Sequence, residues 1–203
     1  IIMCNFESAY QLYKIYINKE EQILEYIDVL NENGVKTGEI LTRKEVHVNG
    51  LWHRAIVVAI LNENNELLLQ QRSANKDKNA NLWDISVAGH VSAGQDSMSA
   101  AIREIYEEVQ IEVKEDISIT DFRYMFSYRT SQKFAEDFIE NQFYDFFILR
   151  TKGIGIERIH MQESEVQNVK FVSLVELEQI LKSNKIVKRE PVYNVLCDYL
   201  KHY

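Results

Sequence analysis

Glu104, Glu107 and Glu108 stand at i, i+3 and i+4 in the run Arg103-Glu104-Ile105-Tyr106-Glu107-Glu108. At 3.6 residues per turn that spacing puts three carboxylates on one face of a helix. Like charges so placed repel by about 0.2–0.5 kcal/mol per pair, so a cation is expected against them. Carboxylate oxygens suit Mg²⁺ or Mn²⁺, ions shared between a few carboxylates, several waters and the phosphates of a substrate. A solvated acidic face is the plain alternative, and the surrounding residues argue against it.

Met98, Ala101, Ile102, Ile105 and Val109 recur at helical spacing and give this helix an apolar face to bury. Upstream, residues 86–94 (SVAGHVSAG) read as a glycine-punctuated strand and loop that delivers the chain to the helix start. Asp96 or Ser97 is the expected N-cap. Strand, bent loop and carboxylate-bearing helix together form a cup for a hard cation.

The stretch 89–111 resembles the signature of the Nudix hydrolases, G-x5-E-x7-R-E-U-x-E-E-x-G-U with U a bulky aliphatic residue. Gly89, Arg103, Glu104, Ile105, Glu107, Glu108 and Ile111 fall in register, while Gln95 stands at the first Glu and Gln110 at the last Gly. The resemblance implies a Nudix-type α/β/α sandwich, an α/β (α+β) fold whose central mixed sheet carries the catalytic loop and helix. It implies that Glu104, Glu107 and Glu108 hold the divalent ions, with the Gly89 carbonyl as a further ligand and Arg103 orienting a glutamate. Gln95 keeps an oxygen that accepts a hydrogen bond but lacks the charge. Gln110 is expected to weaken the last turn of the helix.

The flanking elements follow from pattern. Residues 1–21 read as a short amphipathic helix or an N-terminal extension, and 22–203 as a single domain. Asn31-Glu32-Asn33-Gly34 is a turn between two strands of an N-terminal hairpin. Residues 56–61 form a buried strand that turns at 62–65 into a second strand, 66–72. His47 and His53 precede or open that first strand, either as ordinary hydrogen-bonding residues or as substrate contacts or metal ligands. Arg72 and Lys76 flank the polar loop 73–81, solvated or placed to grip a diphosphate. Residues 121–130 and 138–150 read as strands with a hairpin-like connection, and 166–172 as another. Ser173 caps a helix towards Lys182, and Pro191 fits the first turn of a C-terminal helix.

Further along the chain, Trp52-His53-Arg54-Ala55, Leu69-Gln70-Gln71-Arg72-Ser73, Trp83-Asp84-Ile85-Ser86 and Ala88-Gly89-His90 resemble the branch of Nudix proteins close to isopentenyl-diphosphate isomerase. His53 and His90 are candidates for contact with the substrate, beside Arg72 and Lys76. The isomerases of that branch carry a catalytic cysteine where this chain has Ala88 and a glutamate where it has Gln142. An alanine cannot move a proton at an alkene, so the residues point to hydrolysis. Isomerisation, or a binding regulator on the same fold, is the alternative. For hydrolysis the proton acceptor is Glu107, or a loop carboxylate, Glu163 or Glu165.

A net charge of −8 over 203 residues leaves no electrostatic footprint for nucleic acid or an anionic membrane. Two cysteines, Cys4 and Cys197, argue against a disulfide framework and for a reducing cytoplasm. The expected partner is a small-molecule diphosphate, with a homodimer possible.

Overall fold

The computed structural model describes residues 24–76, 78–111 and 122–202. The expectation for residues 1–21 falls outside them. The long strand β3 (Trp52–Leu61) is the spine. Its even residues Ile56, Val58 and Ile60 enter one apolar core, and its odd residues Ala55, Val57, Ala59 and Leu61 enter another. This two-sided burial explains a continuous apolar run where a half-exposed strand would alternate.

Among the described residues β3 belongs to a nine-stranded mixed sheet. A hairpin of β1 (Tyr26–Leu30) and β2 (Lys36–Thr42) meets its start, and β4 (Leu67–Arg72) its end. The hairpin turns where the Asn31 side chain accepts from the amides of Asn33 and Val35, with Gly34 at φ +77°. Short strands β5 (Trp83–Asp84) and β6 (Val87–His90) pair with β4 and β3. A long hairpin, β7 (Phe122–Ala135) and β8 (Phe138–Arg150), lies along the other flank of β3. β8 runs parallel to β3 over all ten of its residues, pairing His53 with Gln142. β9 (Val166–Val172) closes against β4.

Helices cover both faces. The central helix, Ser97–Val109, buries Ala101, Ile105 and Val109 in the first core. Leu174–Leu181 and Glu190–Lys201 pack on the second through Leu177, Val192, Leu196 and Leu200. The expected α/β/α layering is therefore present. No helix among the described residues is long and apolar enough to cross a membrane.

Two elements differ from expectation. The segment before β3, for which the sequence pattern predicts no helix, contains one, α1 (Arg43–Val48), capped by Thr42 and Glu45 in a reciprocal box. The three helices above are accordingly α2, α3 and α4. Strand β7 continues five residues beyond 130, so the hairpin is closed by Glu136 and Asp137 alone. Exposed serine, lysine and glutamine residues hid that extension, because β8 pairing, and not burial, holds it.

Candidate active site

Asp96 starts α2 by accepting from the amide and hydroxyl of Ser99, at 2.9 and 2.7 Å. From that start the apolar stripe faces the core and Glu104, Glu107 and Glu108 turn towards the loop after β6. Glu104 and Glu108 are buried, and Glu107 is partly exposed. Arg103 lies between them, with Nη1 2.8 Å from both Glu104 and Glu107 and Nη2 donating to the His90 carbonyl at 2.8 Å. Gln95 accepts from Arg103 Nε at 3.4 Å. The amide of Gln70 donates to Glu108 at 2.9 Å.

Burial, then repulsion from Glu107 and Glu25, pushes the Glu104 carboxyl up to about 7 against the opposing pull of Arg103. Burial and then Glu104 hold Glu108 well above the usual carboxylate range, and burial also raises Glu107. Carboxylates crowded and desolvated in this way fit a hard divalent cation, which would offset the repulsion. Gly89 fits it too. A Cβ there would lie 2.1 Å from Cδ of Glu104, so glycine is required for the backbone to come this close.

Two cavities meet over Gly89. One, of about 680 Å³, is lined by the three helix glutamates, Glu25, Glu165, Arg43, Lys76 and Arg103, among others. The second, of about 350 Å³, runs past Arg72, Lys78, Tyr128, Tyr144, Gln142 and Arg189. Arg43, Lys76, Ala88, Gly89, His90 and Glu165 line both. Such a cleft accommodates a small molecule with its phosphates against the carboxylates and a second group beside the tyrosines.

A second donor cluster adjoins the cleft, with His90 on the cavity wall. His47, His53 and His90 place ligand nitrogens within 4.8 Å of one another. Nδ1 of His47 is 2.7 Å from the Arg43 carbonyl and Nδ1 of His53 is 2.9 Å from that of Leu51. Donation to those carbonyls makes each Nε2 an acceptor, the arrangement found at metal-binding imidazoles, and that of His53 accepts from the Gln142 amide. Gln142 Nε2 lies 3.0 and 3.2 Å from Nε2 of His53 and His90, while His47 Nε2 and Gln142 Oε1 are buried without a hydrogen bond. Burial holds His53 down to about 4 and His90 well below its ordinary value, so the imidazoles are neutral near pH 7. Such a set fits a transition ion better than Mg²⁺. Lys78 contacts Glu140 at the edge of this cluster and sits 5.2 Å above the Phe134 ring. Burial, then Arg189 and Arg72, lowers Lys78 to about 7.

The structure thus brings Arg103, Glu104, Glu107, Glu108, Gly89, Lys76, His90 and Glu165 to one cavity, with Lys76 in contact with Glu165. Arg72 reaches the neighbouring cavity, where it approaches Asp84 at 3.8 Å. His53 is fully buried beneath it. Glu163 is different: it is exposed and lines neither cavity. Of the two loop carboxylates expected as proton acceptors, Glu165 is the one that lines the cavity of the helix, because β9 begins beside it and fixes its direction. Sequence reasoning missed Glu25, Lys78, Glu140 and Arg189, which carry no local motif. The pairing of His53 with Gln142 was the available signal for the histidine cluster, and it needs the parallel register to be read.

The fold and the loop-helix carboxylates define an enzyme of the diphosphate-hydrolase type, and comparison with known proteins gives the same class. Residues 51–194 match the NUDIX domain model, and the chain belongs to the NUDIX family. It is 37% identical over 171 residues to Nudix hydrolase 3 of Arabidopsis thaliana, covering 83% of this chain but 21% of that protein. An uncharacterized Nudix hydrolase of Listeria monocytogenes is 35% identical over 164 residues, 81% of this chain and 89% of the relative. Isopentenyl-diphosphate isomerases match as well, one from Aromatoleum aromaticum at 30% over 160 residues, 78% of this chain and 75% of the relative. The crystal structure of a Deinococcus radiodurans protein superposes with a TM-score of 0.64 at 18% identity, over 85% of this chain and 97% of that one, which establishes the shared fold.

Proposed function

We propose that the chain hydrolyses the anhydride bond of a small-molecule diphosphate, X linked through two phosphates to a second group, with Mg²⁺ or Mn²⁺ as cofactor. The observation that carries this is the convergence of Glu104, Glu107 and Glu108 on a cavity that also presents Arg43 and Lys76. The three glutamates and the Gly89 carbonyl would hold the cation, which when bound neutralises phosphate charge and makes water more acidic. Arg103 keeps Glu104 and Glu107 in place through its two 2.8 Å contacts. Arg43, Lys76 and Arg72 bind phosphate oxygens. Glu107, the most exposed of the three glutamates, takes the proton of the attacking water. The water oxygen ends on one phosphorus, the anhydride P–O bond breaks, and the second phosphate leaves with that bond's electron pair.

Relatives named isopentenyl-diphosphate isomerase favour a second reading. Ala88 and Gln142 oppose it, since neither side chain can exchange a proton with an alkene carbon.

Phosphorus NMR separates the two. Incubation with nucleotide sugars, dinucleoside polyphosphates, thiamine diphosphate and isopentenyl diphosphate, under Mg²⁺ and then Mn²⁺, is expected to convert one class into monophosphates. Isomerisation would leave the diphosphate signals intact while the alkene protons move. No turnover of any compound would remove the enzyme reading.

A further inference from the structure

We propose that Glu25 is a further ligand of the cation held by Glu104, Glu107 and Glu108. The inference rests on the hydrolase reading, since it takes the loop-helix site as the cation site.

Glu25 immediately precedes β1, and its backbone is fixed. Its carbonyl accepts from the Arg43 amide at 2.8 Å, and the carbonyl of Tyr26 accepts from Ala93 at 2.8 Å. Ile27 forms a bridge to Ser92. The strand therefore runs beside the loop that joins Gly89 to α2, and Glu25 enters the cavity of the helix carboxylates.

The Glu25 oxygens are loosely held. Oε1 is 3.5 Å from His90 Nδ1 and Oε2 is 3.7 Å from Arg43 Nε, both longer than the roughly 2.7–2.9 Å of a close charge-assisted bond. Glu165, by contrast, is in direct contact with Lys76. Gln95 spends its oxygen on Arg103 and brings no charge. The cavity wall carries five carboxylates against three cations, an imbalance of the size one divalent ion removes. Mg²⁺ collects about six oxygens, which leaves a place for Glu25 beside the three glutamates and the Gly89 carbonyl.

Electron paramagnetic resonance of free Mn²⁺ tests this on the wild type, Glu25→Gln and Glu107→Gln. Only Mn²⁺ displaceable by Mg²⁺ is counted, because imidazole sites do not favour the harder ion. Glu25→Gln is expected to weaken that binding about tenfold without lowering the Tm of metal-free protein. If Glu25→Gln lowers that Tm, Glu25→Asp replaces it, with the same loss expected from withdrawing the carboxylate by one methylene. Binding by the Glu25 variant within twofold of wild type, with Glu107→Gln impaired, overturns the proposal and leaves the hydrolase site standing. Unchanged binding in both overturns the two together.

Discussion

Glu104 is the residue on which most of the local chemistry bears. Its carboxylate lies where a Gly89 side chain would be, so Gly89→Ala must displace it. A shift of about 1 Å at a catalytic group costs on the order of 10²-fold in rate. Gly89→Ala is therefore expected to lower hydrolysis by about that factor with little change in Tm, and an unaltered rate would contradict the placement of Glu104. The raised carboxyl of Glu104 also has a signature in stability. The folded chain binds its proton more tightly than the unfolded chain, so the stability it contributes is full below the ordinary glutamate range and lost as pH rises towards about 7. Glu104→Gln removes that dependence. In metal-free buffer the variant should gain stability relative to wild type between pH 4.5 and 7, and saturating Mg²⁺ should abolish the gain. Urea unfolding at several pH values reads it, and a constant difference would contradict the buried placement of the carboxyl.

At the scale of the element, α2 was legible because its caps, its apolar stripe and its glutamates all agree on one register. Its C-terminus shows what a residue outside the pattern costs. Gln110 adopts φ +52°, the left-handed conformation that glycine enters freely, and there its amide still donates to the Tyr106 carbonyl at 2.9 Å. The expected weakness is thus backbone strain within an intact cap. Gln110→Gly is expected to stabilise the chain by about 1 kcal/mol in urea unfolding, and destabilisation would show that the exposed Gln110 side chain does more than cap. Helix α1 was not legible. It has six residues, too few for periodicity to show, and its Thr42–Glu45 box has no apolar run behind it. Yet it presents His47, one of the three imidazoles of the second donor set, to the other two.

The whole molecule depends on ties between segments distant in sequence, and no local pattern reports those. Arg189 at the start of α4 donates from Nε and Nη2 to Asp84 of β5, at 2.8 and 3.0 Å, and its guanidinium lies 5.2 Å from the Tyr144 ring. This pair joins the C-terminal helix to the wall of the substrate cleft. Asp84 is fully buried, so Asp84→Asn leaves the Arg189 charge uncompensated, at an expected cost of about 3–5 kcal/mol. Denaturant unfolding measures it, and a loss below about 1 kcal/mol would mean that water reaches the pair. The sheet order escaped the sequence for the same reason. Every strand but β5 was visible as an apolar or β-branched run, but the parallel pairing of β3 with β8 joins residues about 90 positions apart. That pairing brings Gln142 to His53, and the beginning of β9 brings Glu165 to the cleft.

The central claim is that the carboxylates of α2 perform the hydrolysis. Its most direct measurement is kcat for the preferred diphosphate under Mg²⁺ in wild type, Glu107→Gln and Glu163→Gln, each confirmed as folded by its Tm. A proton acceptor contributes about 10²–10⁴-fold, so Glu107→Gln should fall by that range while Glu163→Gln, exposed and outside both cavities, keeps the wild-type rate. A Glu107→Gln protein that turns over as fast as wild type, or an equal loss in Glu163→Gln, would contradict it.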